Sequence, residues 1–191
     1  MLLFIIPAVV SGQTRKGSLL IGGGSQLSLS RLNTNWESNL KDSLNTTTME
    51  FSPQFGFFIS NSLVLGAKVP LKRETESVGT QKEIVTYAAI GPFLRYYPLR
   101  QGNVMPYLQG MFGPGHVRKS KSWDKEIISY GMLAYEIDLG MAFFANEYIS
   151  FDLVLGYAYT RYNRRTSFDH EQLDVFFTRG LGIKLGLTAL L

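Results

Sequence analysis

From Tyr148 to Arg161 the chain repeats every two residues. Ile149, Phe151, Leu153, Leu155, Tyr157 and Tyr159 are large and apolar, while Ser150, Asp152, Gly156 and Thr160 stand between them. A period of two marks a β-strand, because successive side chains leave opposite faces of the pleated chain. The run is longer than the roughly 5–6 residues usual for a globular strand. It is long enough for the roughly 9–11 residues a tilted strand needs to cross a bilayer. One face is therefore broad and apolar, the other small and polar, and the fold must give each a different solvent.

Seven further segments share the pattern: Ser18 to Leu32, Thr46 to Ser60, Ser62 to Lys72, Glu83 to Leu99, Val104 to Val117, Glu126 to Phe143 and Leu173 to Leu191. In the fifth in chain order, Val104 to Val117, Gly110, Gly113, Pro114 and Gly115 blur the alternation and predict a bulge. Short connections at Ser60-Asn61-Ser62, Arg100 to Asn103 and Ala145-Asn146-Glu147 alternate with longer polar ones. The longer ones are Asn33 to Asn45, Arg73 to Lys82, Arg118 to Lys125 and Tyr162 to Gln172. Short turns at one end and four long loops at the other describe an up-and-down meander.

The period does not say which face is outside. A soluble lipocalin-like barrel would turn its apolar face inward around a ligand. A membrane barrel inverts that order. Charged residues make up only 18% of the chain, and they are nearly absent from the Phe/Leu face. The opposite face carries Gly22, Gly24, Gly56, Gly66, Gly91, Gly140, Gly156, Gly182 and Gly186 together with Lys68, Arg95, Glu136, Asp138, Asp152 and Lys184. Small residues suit the narrow lumen of an eight-stranded barrel, and opposite charges can pair inside it. The expectation is an all-β, eight-stranded antiparallel up-and-down transmembrane β-barrel. The six charges are read as a plug, with a narrow, porin-like ion path as the alternative. Aromatics near the short turns (Phe57, Phe58, Tyr96, Tyr97, Phe143, Phe144, Tyr148) and towards the long loops (Phe51, Tyr157, Tyr159, Phe176, Phe177) read as two interfacial girdles. Arg179 falls on the apolar side; either it reaches for lipid headgroups or a bulge shifts the register.

Among 191 residues there is no apolar run of about 18, so no ordinary transmembrane helix is present. The net charge of +4 forms no polybasic stripe, which speaks against nucleic acid as a partner. With no cysteine, disulfides and thiolate chemistry are excluded. The block Leu2 to Val10 followed by Ser11-Gly12-Gln13 reads as a secretory signal over residues 1–12, with the barrel over 17–191.

PQFGFFISNSLVLGAKV (Pro53 to Val69) resembles the second hairpin of small bacterial outer-membrane β-barrel domain proteins. IGPFLRYYPL (Ile90 to Leu99), MPYLQGMFG (Met105 to Gly113) and the late Gly-rich strand are similar to later strands of that family. The resemblance runs from about Gly17 onward. It implies a gram-negative outer-membrane barrel of OmpA- and OmpX-like architecture and supplies no common catalytic residue. Such barrels often end in an aromatic read by the envelope assembly machinery. This chain ends Ala189-Leu190-Leu191, which points to weaker recognition.

Few residues suggest chemistry. His116 with Ser120 or Ser122 and Glu126 is the candidate set for a lipid A-modifying hydrolase, without a nucleophile-elbow motif to support it. Asp169-His170-Glu171 reads as solvated loop polarity, not as a metal site, and Gly22-Gly23-Gly24 lacks the ending of a phosphate loop. No cofactor is expected. Arg118, Lys119, Lys121, Arg161, Arg164 and Arg165, with Trp36 and Trp123, form a candidate outer rim for lipopolysaccharide phosphates or a protein partner. The leading expectation is a monomeric outer-membrane protein, not an enzyme, with a structural or adhesive role. The alternatives are the hydrolase, the soluble ligand-binding barrel and an envelope assembly or secretion factor.

Overall fold

The structure is a computed structural model that describes residues 14–33, 43–78, 81–99, 102–122, 124–164 and 174–191. The signal segment, Trp36, Trp123, Arg165 and Asp169-His170-Glu171 lie outside these residues.

Ten strand segments, all antiparallel, make one sheet: β1 (Leu19–Asn33), β2 (Ser43–Ser60), β3 (Leu63–Lys68), β4 (Leu71–Val78), β5 (Gln81–Ala89), β6 (Gly91–Tyr96), β7 (Val104–Lys121), β8 (Asp124–Phe144), β9 (Ile149–Arg164) and β10 (Asp174–Leu190). Segments β3 and β4 are one barrel strand interrupted at Val69-Pro70. The register runs through unbroken, with Lys68 opposite Gln54 and Leu71 opposite Phe51. Segments β5 and β6 are likewise one strand, interrupted at Ile90. The eight barrel strands form a ring in chain order, and β1 meets β10 through the ladder Leu20↔Leu190 to Ser25↔Leu185. The expected eight-stranded meander is present.

The faces are those of a membrane barrel. Along β9, Phe151, Leu153, Leu155 and Tyr157 are exposed while Ser150, Asp152, Val154 and Gly156 are buried. Along β6, Gly91, Phe93 and Arg95 are buried while Pro92, Leu94 and Tyr96 face out. A soluble barrel would not leave such a belt uncovered. At the end where β1 begins and β10 ends the turns are tight. Asn146 Oδ1 accepts from the amides of Tyr148 and Ile149 at 2.9 and 2.8 Å. Gly102, at φ 135°, takes a conformation that favours glycine.

Three expectations need correction. The segments Arg73 to Lys82 and Arg118 to Lys125 are mostly strand, not loop: β4 and β5 pair out to Val78↔Gln81, and β7 and β8 to Lys121↔Asp124. In the β4–β5 hairpin Lys72 pairs with Glu74 on its own strand at 2.6 Å, and Tyr87 Oη donates across the ladder to Glu74 at 2.9 Å. No bulge interrupts Gly110 to Gly115. The β7–β8 register shifts only at Ser120/Lys121, and a second shift lies at Phe58/Ser60 between β2 and β3. Gly113 instead lets β7 approach β6, since a Cβ there would strike the Ile90 carbonyl and the Gly91 Cα. Finally, Phe58 and Tyr97 are buried inside and Phe144 packs against them from within. Neighbouring residues on a strand face opposite ways, so of each pair in the expected girdle only Phe57, Tyr96 and Phe143 point outward.

Glycine makes room for this interior. A Cβ on Gly56 would lie 3.0 Å from Phe93, one on Gly66 would lie 2.6 Å from it, and one on Gly140 would enter the Tyr107 ring. Gly140→Val is expected to cost about 1–3 kcal/mol by overpacking. Urea unfolding of the protein in lipid vesicles should show it, with Gly110→Val as the control because nothing lies within 4 Å of a Cβ there.

Candidate functional site

The lumen is filled from the terminal end upward. Leu20, Phe58, Val64, Tyr97, Met105, Ala142 and Leu190 form an apolar floor, in which Phe58 stacks on Tyr97 at 6.0 Å between centroids. Above it lies Arg95, only 1% exposed. Its guanidinium sits 4.0 Å from the centre of the Tyr107 ring. It donates to Gln109 Oε1 at 2.7 Å and Tyr97 Oη at 2.9 Å, and pairs with Asp152 at 3.4 Å. Asp152 also accepts from Thr188 Oγ1 and Ser150 Oγ, both at 2.8 Å, and from Tyr107 Oη at 3.3 Å.

A second cluster lies higher. Lys68 Nζ is 2.7 Å from Glu136 and 2.9 Å from Asp138. Lys184 contacts Glu136 closely and lies 2.9 Å from Glu50. Ser52 Oγ donates to Glu50 at 3.2 Å. Gln109 Nε2 joins the clusters, donating to Gln54 at 3.2 Å and to Asp138 at 3.4 Å. All six charges singled out in the sequence are buried here, and the structure brings them together. Glu50, Gln109, Tyr97 and Tyr107 complete the network and are not among the six. The signal was available: Tyr97 is two residues from the inward Arg95, and Glu50 and Ser52 share a face.

Above the charges the lumen opens into a cavity of about 350 Å³ between Met111, Met132, Tyr87, Thr48 and the Lys184 stem. The rim candidates separate. Arg118 and Arg161 are exposed on the outward face, whereas Lys119 pairs with Glu83 and Lys121 also has a partner. Arg164 ends β9. These residues stand on strands extended past the apolar belt, not on loops. Arg179 faces outward opposite Tyr159 in an unbroken β9–β10 register, so the bulge reading fails. It lies next to the Tyr135–Tyr159 ring pair, whose centroids are 6.0 Å apart, where a side chain can reach the headgroup level. His116 contacts Ser129 Oγ on β8, not Ser120 or Ser122. Among the described residues no group of three possible metal ligands occurs.

No family model matches the chain, and no curated protein sequence does. Solved structures match over nearly the whole length. Ail, the attachment invasion locus protein of Yersinia pestis, is 16% identical, with 92% of this chain and 99% of that one covered at a TM-score of 0.52. Neisserial surface protein A is 15% identical, with 91% and 97% covered, also at 0.52. The fold is that of a small outer-membrane β-barrel. At this identity the likeness concerns the fold alone, and the reading of the lumen rests on its own contacts.

Removing one member of the buried network should be severe. Lys184→Met leaves Glu50 without its cation and Glu136 with Lys68 alone, and is expected to cost about 3–5 kcal/mol. Adding Glu50→Gln should recover most of that loss, as read by urea titration in lipid vesicles.

Proposed function

We propose that the chain is a monomeric integral protein of the gram-negative outer membrane whose work is structural or adhesive, done at the outer ends of its hairpins. The observation that carries this reading is the pairing of an uncovered apolar belt with a lumen closed by charge pairs and an aromatic floor. A barrel built this way is anchored by its outside and has no wide channel to offer. What remains free to act is the outer rim. Hairpins β4–β5 and β7–β8 continue well past the belt and carry alternating charges. Arg118 and Arg161 present exposed guanidinium groups there, suited to bidentate contact with phosphate or sulfate. Lipopolysaccharide is the anionic surface nearest to them. The attachment protein and the surface protein with the same fold are in keeping with an adhesive role.

Fractionation of cells expressing the full chain tests the first half of this reading. A detergent-dependent outer-membrane species whose gel mobility changes on heating is expected; a soluble periplasmic protein would refute it. For the second half, Arg118→Glu with Arg161→Glu should weaken binding of the folded barrel to lipopolysaccharide several-fold and steepen with falling salt. Unchanged binding at low ionic strength would remove the rim from the account.

A further inference from the structure

The wall of the barrel has one seam. Strands β1 and β10 are hydrogen-bonded from Leu20↔Leu190 to Ser25↔Leu185 and no further. Beyond Ser25, β1 runs on to Asn33 with β2 on one side only. On the other lip, β10 runs back to Asp174 paired only with β9. The neighbouring β8–β9 and β9–β10 ladders continue well above this height. Leu181 and Ile183 on the β10 lip are 74% and 66% exposed, more than any other large apolar side chain among the described residues.

An unpaired strand edge is costly in hydrocarbon and is tolerated where it is buried in protein or lines a water-filled cavity. Here the edge borders a cavity whose lining includes Thr48, Glu50, Lys72 and Lys184, so its free backbone groups can turn away from lipid. The 350 Å³ cavity lies directly behind the seam, bounded by Gln26 of β1 and by Gly180, Leu181 and Gly182 of β10, with Met111 and Met132 across from them. The inward positions of the β10 lip are Gly180 and Gly182; the Gln26 side chain of β1 lies against Gly182, while nothing lies within 4 Å of a Cβ placed on Gly180, so the gap is open at Gly180. Methionine walls adapt to flexible apolar chains. The cations and acids at the cavity's base are committed to each other: Lys184 to Glu50 and Glu136, and Lys72 to Glu74. Arg179 differs. It stands on the same lip, borders the cavity, is exposed, and has no ion-pair or hydrogen-bond partner among the described residues.

We propose that the seam admits the hydrocarbon tail of a single-chain anionic amphiphile from the membrane, the tail lying against Met111 and Met132 and the carboxylate or phosphate head held by Arg179. This rests on the membrane reading above. The ligand enters sideways through the wall, and the blocked lower lumen keeps it from passing through.

The test uses the full chain in phosphatidylcholine nanodiscs with three spin-labelled probes: a stearate, a lysophosphatidate and the neutral methyl ester of the stearate. An immobilised spectral component is expected for one or both anions and not for the ester; the anion retained more tightly identifies the head. Arg179→Gln should weaken retention roughly tenfold. Met132→Trp should abolish it while the heat-shifted band persists. Should that variant fail to fold, the cysteine-free chain allows another. Leu29 would face Leu181 if the ladder ran on, so a Leu29→Cys, Leu181→Cys disulfide should close the seam and its reduction reopen it. Equal retention of ester and anions, or wild-type retention in Arg179→Gln, overturns the proposal. Protein that inserts and shifts on heating yet immobilises no probe overturns it alone. Protein that fails to insert overturns the membrane reading and this inference with it.

Discussion

Lipid offers no partner to a backbone amide, and each one left unpaired in hydrocarbon costs several kcal/mol. The rest of this structure follows from meeting that demand with strands. Each strand needs a neighbour on both sides over most of its length, so the sheet bends into a ring of eight barrel strands, open only where β1 and β10 part beyond Ser25. A ring of that size has a narrow lumen that side chains can fill. The filling then dictates the glycines. Tyr107 lies where a Cβ on Gly140 would be, and Phe93 lies against both Gly56 and Gly66. Backbone hydrogen bonding sets the closure, closure sets the lumen, and the lumen selects between large and small residues.

The buried charges serve a purpose that net stability does not explain. A cluster such as Lys68, Glu136, Asp138 and Lys184 loses its hydration on burial, and pairing returns that energy only in part. What the cluster does provide is an unambiguous inside. A slip of one residue in any strand turns every side chain to the other face. In β9 that slip would place Asp152 in lipid, in β10 Lys184, and in β6 Arg95. A Lys or Arg at the bilayer midplane costs about 2–4 kcal/mol, so several together forbid the inverted register. The apolar belt tolerates many registers; the charges permit one.

How much of this was legible in the sequence follows from range. Alternation is local, so the strands over Tyr148 to Arg161 and Glu126 to Phe143 could be read directly, and with them the inward position of all six charges. Segments Arg73 to Val78 and Arg118 to Lys121 could not, because a hairpin wet on both faces carries no apolar period. Gly113 was misread as a bulge because only its contact with Gly91 of another strand shows it to be a point of close approach. Phe58 and Tyr97 were assigned to the surface as aromatics near turns, although parity with Arg95 already placed Tyr97 inside. The position of Arg179 needed the unbroken β9–β10 register. The seam was least accessible of all, since it depends on whether the first and last strands of the chain meet.

The central claim is that the large apolar residues face lipid while their neighbours face the lumen. Because the native chain lacks cysteine, single spin labels can be placed one at a time from Phe151 to Tyr157 in the folded barrel in lipid vesicles. Collision rates with oxygen, which concentrates in the bilayer, and with a water-soluble nickel chelate would then be compared along β9. Oxygen maxima are expected at residues 151, 153, 155 and 157 and minima at 152, 154 and 156. Oxygen maxima at the even positions, or no period of two at all, would contradict the claim.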